Sequence, residues 1–442
     1  MPDLSGARTG PICAPATPLV PAAVAVVRLS GDSLAERLVS MVALPPPRMA
    51  QVRTLAWDGF RERALVLHFP APHSYTGEDV VEFQVHGNPL LVRRLLDHLA
   101  TLGIRGAEPG EFTRRALLNG KVDLLGAEAL RDLVGATTDA QLRQAQARSG
   151  GAPPWVARAK AALAPWVARA EACVDYGEEE GIGLDLTALA ADLDPLRRVF
   201  HVEQERAAAA RWLRDGIRVV LAGRPNAGKS TLFNALAGQD RAIVTEHPGT
   251  TRDVIDVAAQ WADLPLHLLD TAGLRESQDP VERLGVARVG EELARADLIL
   301  HLVPLADAAP DPAVEAHLAP YAAKVLRVRT QADLGGAPDP GAPCVSAATG
   351  DLAALAEALR TRFLGAWSPD ACLGALDTRR QRELLDELAA QADLLTGLDP
   401  ATPPEIAASL LQGAWSLLAR LTGEDRAETA LDQVFSGFCL GK

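Results

Sequence analysis

The chain has 442 residues, 48% hydrophobic and 23% charged, a composition that excludes a disordered protein and a length that exceeds one ordinary core. Acidic residues outnumber basic ones by 57 to 44, for a net charge of −13, which excludes a protein that grips nucleic acid by positive charge over its whole surface. Five scattered cysteines without CxxC spacing, no signal-peptide pattern and no apolar run of about 18 residues predict a cytoplasmic protein with reduced thiols and no membrane association.

Residues 1–122 mix short apolar runs, 23–29 and 64–69, with turn chemistry such as Pro70-Ala71-Pro72 and His86-Gly87-Asn88-Pro89. The runs read as strands and 90–102 as a helix, which predicts an α+β domain. Asn119-Gly120 then marks a turn. Residues 123–213 are almost all helix formers with apolar side chains at three- and four-residue spacing, as in Leu124, Leu125, Ala129 and Leu133, or Trp155, Ala159, Ala162 and Trp166. This is helical-bundle material. Over 214–366 the rhythm becomes strand–loop–helix, with strands predicted at 217–222, 266–269, 298–303 and 325–328, the pattern of a mostly parallel α/β sheet. The helical pattern resumes over 367–442 with Leu384, Leu385, Leu388, then Leu410, Leu411, Trp415 and Leu418, and Pro403-Pro404 separates two helices. The simplest topology is a multidomain protein in which an α/β domain is inserted into a helical one.

The strand at 217–222 runs into Gly223-Arg224-Pro225-Asn226-Ala227-Gly228-Lys229-Ser230 and then a helix expected at 231–236. Glycines at 223 and 228 let the backbone curl so that several N–H groups face one anion, aided by the helix N-terminus. Lys229 is placed to reach the β- and γ-phosphates of a nucleotide, and the Ser230 hydroxyl to ligate Mg²⁺. Taken alone, the loop also reads as a Gly-rich strand-to-helix turn. Further on, Asp270-Thr271-Ala272-Gly273 closes the strand at 266–269, where the Asp270 carboxylate is suited to Mg²⁺ and the Gly273 amide to the γ-phosphate. Between the two lies Gly249-Thr250-Thr251-Arg252-Asp253, a segment in which a threonine can close over the metal as an order–disorder switch.

GTPases usually read guanine with Asn-Lys-x-Asp after a strand, and here Thr330-Gln331-Ala332-Asp333 follows the strand at 325–328. Asp333 is expected to accept hydrogen bonds from guanine N1 and N2. Thr330 and Gln331 are expected to remove the usual amide brace and the lysine stem that covers the base, weakening affinity. Ser346, Ala347 and Ala348, with Thr349-Gly350, fit the loop that meets guanine O6 through a backbone N–H. The expectation is a P-loop GTPase.

These motifs, together with Pro72-His73-Ser74-Tyr75-Thr76-Gly77-Glu78-Asp79, His86-Gly87, Pro109-Gly110-Glu111-Phe112-Thr113, Arg115, Leu118-Asn119-Gly120-Lys121, Asp123-Leu124 and Phe438-Cys439-Leu440-Gly441-Lys442, resemble the MnmE/TrmE family of tRNA-modifying GTPases over the whole length. The resemblance implies a tetrahydrofolate-binding and dimerisation domain over 1–122, a helical domain in two parts (123–213 and 367–442), and an inserted Ras-like GTPase domain over 214–366. It implies a K⁺-stimulated, homodimeric GTPase whose turnover opens and closes paired GTPase domains. Such a protein acts with an MnmG-type (GidA-type) partner carrying FAD, in a heterotetramer or larger complex. Together they add an aminomethyl- or carboxymethylaminomethyl-type group to C5 of the wobble uridine of certain tRNAs.

Residue by residue, the resemblance assigns K⁺ to Asn226, Thr245, His247 and Thr250, with Glu246, Pro248, Gly249 and Thr251 in the same nucleotide-facing segment, and Mg²⁺ to Ser230 and Thr251. The rest of the GTP contacts match Ala227, Gly228, Lys229, Thr231, Asp270, Thr271, Ala272 and Gly273. Glu282 matches the family's water-orienting glutamate, beside Lys229 and Asp270 in binding and metal roles; read from the residues alone, it is equally a solvated carboxylate at a helix start. A 5,10-methylene- or 5-formyl-tetrahydrofolate is implied at Arg28, Glu82, Lys121 and Lys442. Cys439 is either a thiol activated by Lys442 or a small apolar residue packed beside Phe438. Two departures stand out: Leu19-Val20-Pro21-Ala22-Ala23 replaces a Gly-rich turn of the family, and Asn88 replaces a glycine. Two alternatives stay open, a ribosome-assembly GTPase and a folate- and partner-binding scaffold with a decayed GTPase. The Arg379, Arg380 and Arg382 cluster is a candidate tRNA contact or an ordinary solvated helix face.

Overall fold

The structure is a computed structural model that describes residues 10–180, 183–238, 256–269, 290–307, 309–336, 339–424, 438 and 441. The chain forms two compact units, one of Met1–Arg131 with Ala419–Lys442 and the other of Asp132–Leu418.

In the first unit, β1 (Ile12–Pro15), β2 (Ala22–Ser30), β3 (Gln51–Trp57), β4 (Phe60–Phe69), β5 (Val80–Gly87) and β6 (Arg105–Gly106) form one sheet in the order β3-β4-β5-β2-β1-β6. Pairing is antiparallel except between β1 and β6. Alternate residues face the core, as a two-residue period requires: Val27 and Leu29, then Val81, Phe83 and Val85, then Ala64 and Val66. They pack under α1 (Leu34–Leu38) and α2 (Pro89–Thr101), whose Val92, Leu95 and Leu99 recur at helical spacing and are fully buried. Each such side chain contributes about 1.5–3 kcal/mol of transfer free energy.

The two departures from the family pattern have local structural accounts. Asn88 is the N-cap of α2, and its Oδ1 accepts from the N–H of Leu90 (2.9 Å) and Leu91 (3.2 Å), with Pro89 at the first helical position. A cap of this kind stabilises the helix by about 1 kcal/mol relative to alanine. Ala22 opens β2 directly, with an irregular register against β5 between Ala22 and Val24. Gly87 tolerates no side chain there, because a Cβ would lie 2.3 Å from the Ala22 carbonyl oxygen.

In the second unit, the long helices α6 (Pro154–Glu180) and α7 (Leu186–Asp215) follow α5 (Asp139–Arg148), and α7 packs along the helix Arg379–Thr396. Leu384, Leu385 and Leu388 of that helix are buried, and polar pairs line the seam: His201 Nε2 lies 2.9 Å from Asp393, and Gln204 donates to Asp386. The chain leaves α7 through Gly216 into β7 (Ile217–Ala222), the central strand of a five-stranded sheet ordered β11-β10-β7-β9-β8. Its other members are β8 (Asp256–Trp261), β9 (Leu264–Leu269), β10 (Leu298–Pro304) and β11 (Val325–Thr330); only β8 runs antiparallel. Both faces are covered, which explains the continuous apolar text of these strands. Val219 and Leu221 pack with Leu232, Leu355 and Leu359, while Val220 and Ile299 pack on the other face with Leu293 and Leu318. The four strands predicted over 214–366 all form, each within two residues of its expected bounds, as does the mostly parallel sheet, whereas β4 of the first unit starts four residues before its predicted run at 64–69.

Cys13, Cys173 and Cys372 are buried, and the four described cysteines form no disulfide. Burial pushes the Cys13 thiol up to about 12 and that of Cys372 up to about 11, so neither is a reactive thiolate near neutral pH. Among the described residues, no helix is long and apolar enough to cross a membrane.

Two outcomes follow. Leu388→Ala is expected to cost about 2–5 kcal/mol, read as a lower denaturant midpoint at unchanged slope. The hydrogen bond to Asp393 raises the His201 imidazole above its usual value, so this contact adds stability that is fully present below about pH 6.5 and lost as pH rises through the raised value. Denaturation midpoints against pH should lose that downward step in Asp393→Asn.

Candidate functional site

The central strand β7 has β9 on one side and β10 on the other, and the chain departs to one side first and crosses to the other later. The carboxyl end of such a strand is where open α/β sheets place a ligand crevice. Here β7 runs into residues 223–228 and then α8 (Lys229–Ala237), which begins two residues earlier than expected. Gly223 has φ +155, and a Cβ on it would lie 2.7 Å from the Leu302 carbonyl oxygen of β10, so the loop can leave the sheet only without a side chain. Asn226 (φ 63) and Gly228 (φ 89) are left-handed, with buried Ala227 between them donating its N–H to the Arg224 carbonyl at 3.2 Å. Alternating handedness of this kind turns successive amides toward one concavity, an anion nest. Gly228 caps α8, whose first turn carries no acidic residue to neutralise the positive end of the helix.

Lys229 lies across this loop: its Nζ donates to the carbonyl oxygens of Gly223 (2.7 Å) and Arg224 (2.9 Å). Ser230 follows it at the mouth of the loop and is exposed, and Thr231 continues the first turn of α8. The outer limb is fastened by Arg224, which donates from Nε and Nη2 to the two Asp307 carboxylate oxygens at 2.6 and 2.7 Å. That bidentate clamp pairs a loop residue with one 83 positions away, so sequence spacing gave no signal for it.

The end of β11 meets the same loop. The buried Thr330 hydroxyl donates to the Ala227 carbonyl at 2.8 Å, and Gln331, itself left-handed at φ 60, donates from Nε2 to the Asn226 carbonyl at 3.0 Å. The expectation that Thr330 and Gln331 remove the brace is therefore corrected: a short hydroxyl and an amide hold the phosphate loop from β11. Asp333 is oriented by Ser346, whose hydroxyl donates to Oδ1 at 2.6 Å, while the Ser346 oxygen accepts from the Thr349 N–H at 3.3 Å. Ala347 and Ala348 lie in the turn between them. A carboxylate held in this way at the end of a strand beside an anion nest presents acceptor oxygens to the donor edge of a purine.

In the first unit Arg28 and Glu82 are directly opposed on β2 and β5 and form an ion pair at 2.8 Å. The Arg28 guanidinium carbon lies 5.7 Å from the Tyr75 ring centre and 6.0 Å from that of Phe112, and Nη1 reaches the Gly441 carbonyl at 3.4 Å. A Cβ on Gly441 would come within 2.3 Å of the Pro15 carbonyl, so glycine is needed for this approach. Lys121 follows α3 (Glu111–Leu118), and its Cε lies 3.0 Å from where a Cβ on Gly77 would sit. The loop that carries Tyr75 and Gly77 rests on a polar chain that the spacing did not suggest: Ser30 contacts Thr76 and Glu78 at 2.7 Å, and Glu78 accepts from Arg115 at 3.0 Å. Burial pushes the Tyr75 phenol up, and its hydroxyl lies 2.8 Å from that of Thr113. Phe438 is buried against Leu117, Leu124 and Ala127.

Comparison with known proteins decides the family. The model described as GTP-binding protein TrmE N-terminus matches residues 11–121, and the MnmE helical domain model matches residues 124–439. The chain belongs to the MnmE family. It is 43% identical to the tRNA modification GTPase MnmE of Acidiphilium cryptum (strain JF-5), over 99% of this chain and 100% of that one. The proteins of the same name from Azoarcus sp. (strain BH72) and Methylorubrum populi (strain ATCC BAA-705 / NCIMB 13946 / BJ001) are each 41% identical, covering 95% and 100% of both chains respectively.

Of the positions the MnmE resemblance singles out, the structure brings together Asn226, Lys229, Ser230, Thr330 and Gln331 at one loop, Asp333 with Ser346, and Arg28 with Glu82 on one sheet. Thr245, Glu246, His247, Pro248, Gly249, Thr250, Thr251, Asp270, Thr271, Ala272, Gly273, Glu282, Cys439 and Lys442 lie outside the described residues. Thr330→Val keeps the side-chain shape but strips the donor from the buried Ala227 carbonyl, and an unsatisfied buried group costs about 1–3 kcal/mol. Guanine nucleotide affinity, read by fluorescent GDP titration, should fall about tenfold in Thr330→Val and be restored toward wild type in Thr330→Ser.

Proposed function

We propose that this chain is a K⁺-stimulated GTPase that takes part in modifying the wobble uridine of tRNA. The observation that carries the reading is a left-handed anion loop, spanned by Lys229 and held from the end of β11 by Thr330 and Gln331, with the Asp333 carboxylate held by Ser346 shortly after those two residues. It occurs in a chain whose near-full-length relatives are named tRNA modification GTPases. The loop amides and Lys229 bind the β- and γ-phosphates, and Asp333 accepts from guanine N1 and N2 while an amide of the 346–348 turn meets O6. Gln331 lacks the lysine stem over the base, so affinity for GTP is modest. Glu282 orients the attacking water.

The nest and the exposed Ser230 hydroxyl fit a metal-bound triphosphate. Ser230 and Thr251, with Asp270 through water, would hold Mg²⁺, and Asn226, Thr245, His247 and Thr250 would hold K⁺; when bound, the two cations offset charge on the phosphate oxygens. In the first unit a cation over two aromatic rings, beside a carboxylate, suits the flat ring and acidic tail of a tetrahydrofolate, with Arg28, Glu82, Lys121 and Lys442 as its contacts. The same reading includes a homodimer in the cytoplasm, an MnmG-type partner that carries FAD, and tRNA held largely by that partner, in keeping with a net charge of −13.

Steady-state GTP turnover in KCl and in NaCl tests this. Turnover is expected to be stimulated by K⁺, and Glu282→Ala is expected to lower it about 10²-fold or more while GTP still binds. Equal rates in the two salts would overturn the cation assignment. In Asp333→Asn the reversed donor pattern should shift preference from GTP to xanthosine triphosphate, read by competition binding.

A further inference from the structure

The helices α7 and Arg379–Thr396 run antiparallel, and their shared seam changes character along its length. One end is matched: His201 lies 2.9 Å and Arg197 3.5 Å from Asp393, and Gln204 donates to Asp386. Two turns further along α7, and one turn back along its neighbour, the same register brings Arg211 beside Arg382. Burial first, and then the Arg382 charge, hold Arg211 below the usual arginine value. Neither side chain has an ion pair or a hydrogen bond among the described residues, and the Nε–H of each is buried without an acceptor. Arg211 is steadied by an aromatic face: its guanidinium carbon lies 4.1 Å from the centre of the Trp212 ring. A guanidinium stacked in this way keeps its N–H fork free for an anion. The carboxylates that act on Arg211 at longer range are engaged elsewhere, Asp215 by Arg214 Nη1 at 2.6 Å and Asp297 by the Arg218 N–H at 3.0 Å.

Other withdrawn arginines of this unit meet carboxylates. Arg148 touches Asp132 and approaches the fully buried Asp377 at 2.7 Å, and Arg214 donates to Asp132 at 2.9 Å. Arg211 and Arg382 have no such counter-ion. Two guanidiniums side by side and partly dried are destabilising, and an anion between them removes both the repulsion and the unsatisfied donors. The helix adds to this demand, because its first four residues include Arg379, Arg380 and Arg382 and no acidic residue, placing three cations at its positive end. Arg379 is the solvated member of the three, 87% exposed and paired with Glu383 at 2.7 Å. We propose that Arg211 and Arg382 together bind a phosphate group of the RNA backbone, which gives this acidic chain a contact of its own with tRNA. Guanidinium forks match phosphate oxygens bidentately, and a chain of net charge −13 needs such a local concentration of cations to hold RNA at all. The phosphate chemistry stands on these residues alone, while tRNA as its source rests on the proposed function. The six residues of β7 separate Arg211 from the phosphate loop, so GTP chemistry needs neither arginine.

The test titrates the full chain against fluorescently labelled tRNA over a range of KCl concentrations. Arg211→Gln and Arg382→Gln should each weaken binding about fivefold and make the fall of log affinity with log salt shallower by about 1. Arg379→Gln removes the same charge from the solvated end of the cluster and should stay within about twofold of wild type. Denaturation midpoints give a second readout, with inorganic phosphate as the probe. At fixed ionic strength, phosphate should raise the midpoint of the wild type and of Arg379→Gln more than that of Arg211→Gln or Arg382→Gln. Both of these variants should fold, since each relieves the repulsion. Unchanged tRNA affinity and slope in both would overturn the RNA contact, and selective protection by phosphate in that case would assign the site to the free ion. An equal loss of tRNA affinity in Arg379→Gln would reduce the effect to net charge and overturn the site. GTP turnover in KCl should stay within about twofold of wild type in all three variants. A wild type without K⁺-stimulated turnover counts against the proposed function, and the tRNA titration still decides this site.

Discussion

The nucleotide site depends on one backbone constraint, the change of hand between residues 223 and 228. The chain must leave a buried parallel strand, pass within contact of the Leu302 carbonyl, and enter a helix with its amides facing inward. Only a residue without Cβ passes the first point, and left-handed conformations at 226 and 228 complete the turn. Asn226 is the costly member, since a non-glycine residue in that conformation gives up roughly 1 kcal/mol or more. Its carbonyl is held by Gln331 and the next carbonyl by Thr330. The strain at 226 is thus offset from a neighbouring strand, which makes β11 part of the phosphate site as well as of the base site.

How legible this was depended on range. The phosphate loop could be read because its chemistry is local: two glycines, a lysine and a serine within eight consecutive residues, directly after an apolar strand and before a helix. The fold class followed from the change of apolar period, and the family from motifs spread over the whole chain. The brace from β11 could not be read, because Thr330 meets a residue 103 positions away and threonine is not the residue usually found there. Arg224 with Asp307 was silent for the same reason. Asn88 was a milder case, read as the loss of a glycine when its gain as a helix cap is written in the adjoining Pro89.

The first unit shows the same division of labour between scaffold and chemistry. Its sheet holds Arg28 and Glu82 in register by backbone pairing alone, so the ion pair needs no further support to stay aligned. The aromatic side chains that flank Arg28 come from elsewhere, Tyr75 from a loop and Phe112 from a helix start. That loop is fixed from beneath by the Ser30, Thr76, Glu78 and Arg115 chain. Conformational freedom that a loop would otherwise lose only on binding is given up on folding.

The buried charges around Asp377 also carry a thermal signature. Hydration of ions weakens as temperature rises because it is entropically unfavourable, so the penalty for drying Asp377, Arg148 and Asp132 shrinks on warming. The apolar seams that flank them show no matching gain. Heating should therefore loosen the rest of this unit before it loosens the ionic knot, leaving these ion pairs among the last contacts to part.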